Sequence, residues 1–248
     1  MTDISLNKTL HFIGIGGVGM SAIAHIALQK GYKVSGTDLK ESIYTIRLKD
    51  LGAEIFFGHK PSNLRKADIL VVSSAITQDN PELMYAKQEK LPILKRAEML
   101  DILMTDCPRR ICIAGTHGKT TTSSMITKML DTCNQRPSFI IGADLKDFGN
   151  NADMGSGGYF VAEADESDGS FLCLHPNIGV VTNIEADHLD YYKDLSSIQE
   201  HFFRFIEGVE TRQGYVVLNH DDPIVSKMGN ICSQTHYFGI DTQAAVMA

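Results

Sequence analysis

In AGTHGKTTT, residues 114–122, a lysine directly follows a glycine and precedes three threonines. That order suits triphosphate chemistry. Backbone N–H groups along Gly115, Thr116, His117, Gly118, Lys119, Thr120 and Thr121 can wrap phosphate oxygens, the Lys119 ammonium can reach the β- and γ-phosphates, and the Thr120 hydroxyl can ligate Mg²⁺. The usual P-loop has four residues between its two glycines, whereas only Thr116 and His117 separate Gly115 from Gly118. An ATP- or GTP-type site is expected there.

Two acidic stretches downstream can complete such a site. FVAEADESDGSF follows an apolar run, placing Glu163 and Asp165 at or just beyond the carboxyl end of a strand, and oxygen ligands of this kind suit Mg²⁺. VVTNIEADHLD repeats the arrangement with Asn183, Glu185, Asp187 and His188. Imidazole is not the preferred Mg²⁺ ligand, and solvated acidic loops are the plain alternative for both stretches.

A second glycine-rich stretch, FIGIGGVGMSAIA, lies about a hundred residues earlier and matches GxGxxG at Gly14, Gly16 and Gly19, with Asp38 after the next apolar run. Glycines let a backbone approach a pyrophosphate, a helix N-terminus supplies N–H groups, and an acidic residue at that distance can accept ribose hydroxyls. The pattern suits NAD and equally another diphosphate nucleotide such as a UDP-sugar. Tight strand-helix packing is the alternative without a ligand.

These loops need elements to hold them. Leu10–Ile15 is expected as a strand feeding the first loop, and Met20, Ile23, Ala24, Ala27 and Leu28 recur at helical spacing up to Gly31. Further strands are predicted at residues 33–37, 54–57 and 69–73, with helices at 44–51 and 81–90 between them. The pattern resets near residues 100–108. Arg110–Ala114 is a new strand, 123–130 a helix, 139–141, 159–162, 178–182 and 215–218 strands, 150–158 a loop, and 198–206 an amphipathic helix. Repeated β-α units imply parallel sheets covered on both faces. The expectation is an α/β chain of two nucleotide-binding domains, a Rossmann-like parallel-sheet domain at 1–104 and a P-loop-type ATPase domain at 105–248.

With 23 basic and 30 acidic residues the formal charge is −7, which gives no electrostatic reason to expect nucleic acid or an anionic membrane as partner. The N-terminus lacks the basic and apolar segments of a secretion signal. The most apolar window, residues 12–28, is shorter than a membrane span and broken by glycines. Five cysteines without CxxC spacing fit free thiols in a reducing cytoplasm.

Taken together the motifs resemble the Mur ligases. GIGGVGMSAIA, VVSSAI followed by NPE, RAEML, AGTHGKTTT, AEADESD and TNIEADHLD occur in the order of that family's pattern, whose phosphate loop has the shortened form GTxGK[ST]. The resemblance implies ATP at Gly115–Thr121. It implies a UDP-sugar rather than NAD at Gly14, Gly16, Gly17, Gly19 and Asp38, with Ser73 and Ser74 in the uridine-nucleotide site and His117 against the sugar. His117 is similar to either the alanine-adding branch or its tripeptide-recycling relative, and the GIGGVGMS loop is similar to the former, which adds L-alanine to UDP-N-acetylmuramate through an acyl phosphate, in peptidoglycan precursor synthesis. The tripeptide-recycling branch is the nearer alternative.

By the same resemblance Lys119, Glu163, Asn183 and His188 are catalytic. Thr120 and Glu163 hold one Mg²⁺, with Mn²⁺ a substitute, and His188 helps hold a second. Sibling ligases carry a carbamoylated lysine after the ADH motif, but no lysine occurs between Lys193 and Lys227. The family pattern also includes a C-terminal domain and an adenine-binding His-Asn segment that do not occur before Ala248. The expectation is a fragment with little or no ligase activity alone. Two other readings compete: a nicotinamide-dependent oxidoreductase, which leaves the second loop and both acidic stretches unused, and a nucleotide sensor that binds without turnover.

Overall fold

The computed structural model describes residues 4–247, and the chain divides into two compact units. One comprises the chain up to Thr105 together with Gly142–Met154; the other comprises Asp106–Ile141 and the chain from Gly155 onward.

The first unit alternates strand and helix: β1 Thr9–Ile13, α1 Val18–Gln29, β2 Lys33–Asp38, α2 Ile43–Asp50, β3 Glu54–Phe57, β4 Ile69–Val72, α3 Pro81–Gln88, β5 Ile93–Lys95 and α4 Arg96–Met104. Its five strands lie in the order β3-β2-β1-β4-β5, every neighbour parallel. A central parallel strand is covered on both faces, so β1 is apolar nearly throughout and Leu10, Phe12 and Ile13 are wholly buried. Helix starts follow local chemistry. Ser42 and Thr45 cap each other's backbone N–H at α2, while Asn80 accepts from the Glu82 and Leu83 N–H groups at α3, with Pro81 at its first position.

The buried polar residue of β1 is His11. Its ring is wholly buried, Nδ1 bonds the Ser35 hydroxyl at 2.9 Å, and Nε2 has no hydrogen-bond partner. Burial lowers its pKa from 6.5 to about 4, against the opposing pull of Glu82. The unfolded chain therefore takes up a proton below pH 6.5 that the folded chain refuses until about pH 4. Stability contributed by the neutral ring is full above pH 6.5 and declines as pH falls through that window, by about 3 kcal/mol in all. Urea unfolding at pH 7 and pH 4.5 should show this decline, and His11→Gln should reduce it; an equal decline in the variant would refute the assignment.

The second unit contains β6 Arg109–Ala114, α5 Lys119–Thr132, the start of β7 Ser138–Leu145 up to Ile141, β9 Tyr159–Glu163, β10 Ile178–Val181, α6 Leu195–Glu210, β11 Tyr215–Asn219, β12 Thr235–Gly239 and β13 Val246–Met247, while the rest of β7 and β8 Asn150–Asp153 belong to the first. The strand order is β13-β12-β11-β10-β6-β9-β7-β8. Pairings from β7 through to β13 are parallel. Asp194 caps α6 by accepting from the Ser197 N–H. Ile198, Phe202, Phe205, Ile206 and Val209 form its buried stripe, and Phe171 lies 5.4 Å from Phe202 and 5.5 Å from Phe205, ring centre to ring centre.

Residues 150–153 form a strand where the sequence expectation had a loop over 150–158, and residues 142–154 fall outside the rest of the expected 105–248 domain. They group with the first unit because β8 lies on α1. Asn151 Nδ2 donates to the Val18 carbonyl, and Gln29 bonds both Asp153 and the Met154 N–H. Asn, Asp and Gly signal turns locally, and the tertiary hydrogen bonds that make this stretch a strand come from a helix over a hundred residues away. Among the described residues no helix is long and apolar enough to cross a membrane.

Candidate functional site: two phosphate loops

In the first unit β1 is the switch strand. The chain proceeds to β2 on one side and later returns to β4 on the other, so the loops after β1 and β4 open at the carboxyl edge where open α/β sheets bind ligands. Gly14 and Ile15 both donate to the Thr37 carbonyl, at 2.8 and 3.0 Å, and Gly17 precedes α1 as its N-cap. Gly16 touches the end of β2: its N–H donates to Asp38 Oδ2 at 2.8 Å, and a Cβ there would lie 2.8 Å from the same oxygen. The other Asp38 oxygen accepts from the Leu39 N–H. Asp38 thus anchors the glycine loop after β1 through Gly16. Ser73 and Ser74 follow β4, and Ile76 in the same turn comes within van der Waals reach of Gly14. Arg96, unremarked in the sequence beyond the RAEML string, lies beside Gly19, with Cδ 3.6 Å from where a Cβ would stand.

In the second unit β6 lies between β9 and β10, so three loops meet at one carboxyl edge: the phosphate loop after β6, AEADESD after β9 and TNIEADHLD after β10. Gly115 has φ +137°, and a Cβ there would stand 2.0 Å from Thr182 Oγ1. Thr182 also donates its hydroxyl to the His117 carbonyl at 2.6 Å. Asn183 clamps the loop from both sides: its Oδ1 accepts from the His117 N–H at 2.8 Å, its Nδ2 donates to the His117 carbonyl at 2.9 Å, and its own carbonyl accepts from the Thr116 N–H. The Glu185 N–H donates to Thr116 Oγ1.

Lys119 opens α5 and folds back over the loop. Its ammonium donates to the Gly115 and Thr116 carbonyls at 2.6 and 3.2 Å and pairs with Glu166 at 2.8–2.9 Å. Glu166 is buried, and its carboxyl pKa is raised by burial against the opposing effect of Lys119. Tyr192 donates its hydroxyl to the Glu166 carbonyl, and burial raises the phenol pKa. His188, with φ +51°, brings Nε2 to 3.8 Å from Glu166 Oε1. Glu163 at the end of β9 accepts from Ser123 Oγ on α5 at 3.3 Å, so its carboxylate faces the first turns of the helix that carries Thr120.

The structure therefore brings Lys119, Glu163, Asn183 and His188 to one edge of the second sheet. Asp165 turns locally, accepting from the Ser167 N–H. His117 is exposed, with Nε2 3.8 Å from Glu185. Glu166 and Thr182 were not singled out in the sequence. Glu166 looks like one more acid in a polar run, and only its burial separates it from Asp165.

Such an arrangement defines a nucleotide-binding α/β protein with two phosphate loops, the second of P-loop type. Residues 9–107 match the Mur ligase family, catalytic domain, and residues 113–248 match the Mur ligase middle domain, so the chain belongs to the Mur ligase family. It is 50% identical over 214 residues to UDP-N-acetylmuramate–L-alanine ligase of Dictyoglomus turgidum, covering 86% of this chain and 46% of that protein. The ligase of the same name from Geotalea uraniireducens is 48% identical over 244 residues, covering 96% and 52%. The chain thus spans about half the length of the curated relatives it matches. Among solved structures, UDP-N-acetylmuramate-alanine ligase of Thermotoga maritima superimposes with TM-score 0.82 at 30% identity over 94% of this chain and 53% of that one. A UDP-N-acetylmuramate:L-alanyl-gamma-D-glutamyl-meso-diaminopimelate ligase from Neisseria meningitides gives 0.86 at 29%, over 94% and 78%.

Proposed function

We propose that this chain carries the UDP-sugar and ATP sites of a cytoplasmic ligase that joins L-alanine to the lactyl carboxylate of UDP-N-acetylmuramate at the expense of ATP, in peptidoglycan precursor synthesis. The observation that carries this reading is the meeting of Lys119, Glu163 and His188 on three loops at one sheet edge, in a chain close to half of each alanine-adding relative.

The chemistry sets the demands. A carboxylate is a poor electrophile, so its oxygen first attacks the γ-phosphorus and ADP leaves, giving an acyl phosphate. The amine of L-alanine then attacks the acyl carbon, phosphate departs and the amine proton passes to solvent. Two anions must be aligned and neutralised. Lys119 does this at the β- and γ-phosphates, by moving from the Gly115 and Thr116 carbonyls to phosphate oxygens. Asn183 keeps the loop N–H groups facing the ligand through its grip on His117. In the first unit Gly14–Gly19, Asp38, Ser73 and Ser74 hold the uridine diphosphate.

Oxygen donors from two elements, Thr120 on α5 and Glu163 at the end of β9, would suit Mg²⁺ or Mn²⁺, and the His188 imidazole, a poorer ligand for Mg²⁺, would help hold a second ion. Bound metal would neutralise phosphate charge there.

Calorimetric titration of the chain with UDP-N-acetylmuramate and, in parallel, NADH tests the reading. Saturable heat with the UDP-sugar and none with NADH is expected. NADH binding with a silent UDP-sugar would overturn it in favour of an oxidoreductase. The tripeptide-recycling reaction is the alternative; alanine addition is favoured by the curated relatives at 48–50% identity, both of them UDP-N-acetylmuramate–L-alanine ligases.

A further inference from the structure

Glu82, the acid of the NPE string, has no part in the function so far. It sits in the first turn of α3 with its side chain wholly buried, and four donors converge on it. Thr37 Oγ1 donates to Oε2 at 2.6 Å and His59 Nδ1 lies 3.1 Å from the same oxygen. Asn63 Nδ2 and the Lys60 N–H donate to Oε1 at 2.7 and 3.3 Å. A buried carboxylate is tolerated only when so satisfied. The donors come from the end of β2 and from the segment after β3, both at the carboxyl edge of the sheet.

Two of them bear on the ligand edge. Thr37 is the residue whose carbonyl receives the Gly14 and Ile15 N–H groups, so the carboxylate that fixes its side chain also fixes the acceptor on which the glycine loop hangs. The segment after β3 is tied to the same strand end, because the Gly58 N–H donates to the Asp38 carbonyl and Asn63 Nδ2 donates to the Gly58 carbonyl. An ionised carboxylate only accepts, so its bond to His59 requires the proton on Nδ1 and leaves Nε2 of the neutral ring as an acceptor.

We propose that Glu82 is a positioning residue for the UDP-sugar loop, acting through Thr37 on Gly14 and Ile15 and setting the tautomer of His59. The inference rests on the UDP-sugar reading of that loop for its affinity test and on the loop geometry alone for its exchange test.

Thr37→Val removes the hydroxyl and keeps the shape and the carbonyl; Glu82→Gln keeps the shape and removes the charge; Thr37→Ser restores the hydroxyl. In variants shown by circular dichroism to be folded at 10 °C, Thr37→Val and Glu82→Gln should weaken UDP-N-acetylmuramate binding about tenfold, the order expected from losing a bond to a buried charge. Thr37→Ser should stay within about twofold of the parent chain, and ATP affinity should be unchanged in all three. Amide exchange at Gly14 and Ile15 should accelerate in the first two variants and not in Thr37→Ser. His59 nitrogen shifts should move from the Nδ1–H form in Glu82→Gln.

A purely structural role predicts a lower melting temperature with parental affinity and parental exchange at Gly14 and Ile15, and that result overturns the proposal. If the parent chain itself fails to bind the UDP-sugar, the functional reading falls, and the exchange comparison still decides the role of Glu82. Where Glu82→Gln does not fold, Thr37→Val against Thr37→Ser carries the test.

Discussion

Lys119→Ala should weaken ATP binding by about 10²–10³-fold, because under the proposed function it deletes the cation that would meet the β- and γ-phosphates. The same change strands a buried acid. Glu166 is 2% exposed at its side chain and pairs with the Lys119 ammonium at 2.8 Å. Removing one partner of a buried pair costs about 3–5 kcal/mol. Loss of nucleotide binding in Lys119→Ala could therefore arise from unfolding rather than from chemistry. The double variant Lys119→Ala with Glu166→Gln separates the two, since a neutral amide no longer needs the ammonium. It should recover most of the stability in urea unfolding and none of the ATP affinity in calorimetry. Recovery of ATP binding along with stability would show that Lys119 serves the fold and leave the phosphates without their expected cation.

How far such a site can be read from sequence depends on whether its signal is local. The two glycine loops are legible because a strand, a run of glycines and a helix must be consecutive in the chain, and both loops lie where the residue pattern put them. Glu163 and His188 are legible for a related reason: each follows a β-branched run, and parallel strands put all their carboxyl ends on one edge. Glu166 and Glu82 are not. Each is an acid in a polar or helical stretch, and what distinguishes it is burial against donors remote in the chain, such as Thr37 Oγ1 on Glu82 and Lys119 Nζ on Glu166. The strand at 150–153 escapes for the same reason, since its partners on α1 are remote. Asn183 shows a subtler limit. The family resemblance implied a catalytic role, and the structure has its amide bonded to the loop backbone at His117, so its influence on a nucleotide would pass through the loop.

That bracing makes Gly115 a sensitive position of the phosphate loop. Its φ of +137° is a conformation L-residues rarely adopt, and an added Cβ would stand 2.0 Å from Thr182 Oγ1, with the Thr182 and Asn183 backbone nitrogens at 3.1 and 3.2 Å. Strain and overpacking together should cost Gly115→Ala about 3–5 kcal/mol. The loop can relieve the clash only by moving away from the strand end after β10, which breaks the Thr182 bond to the His117 carbonyl and the Asn183 clamp. ATP affinity should therefore fall with stability, even though the substitution touches no phosphate-facing side chain. A double-mutant cycle with Thr182→Ala isolates the steric part. Deleting the hydroxyl removes the nearest obstacle but not the backbone nitrogens, so the cycle should show a favourable coupling of about 1–2 kcal/mol and incomplete recovery. Strict additivity of the two substitutions would mean that the loop and the strand end are not in contact in solution. The convergence of three loops at this edge would then lose its mechanical basis.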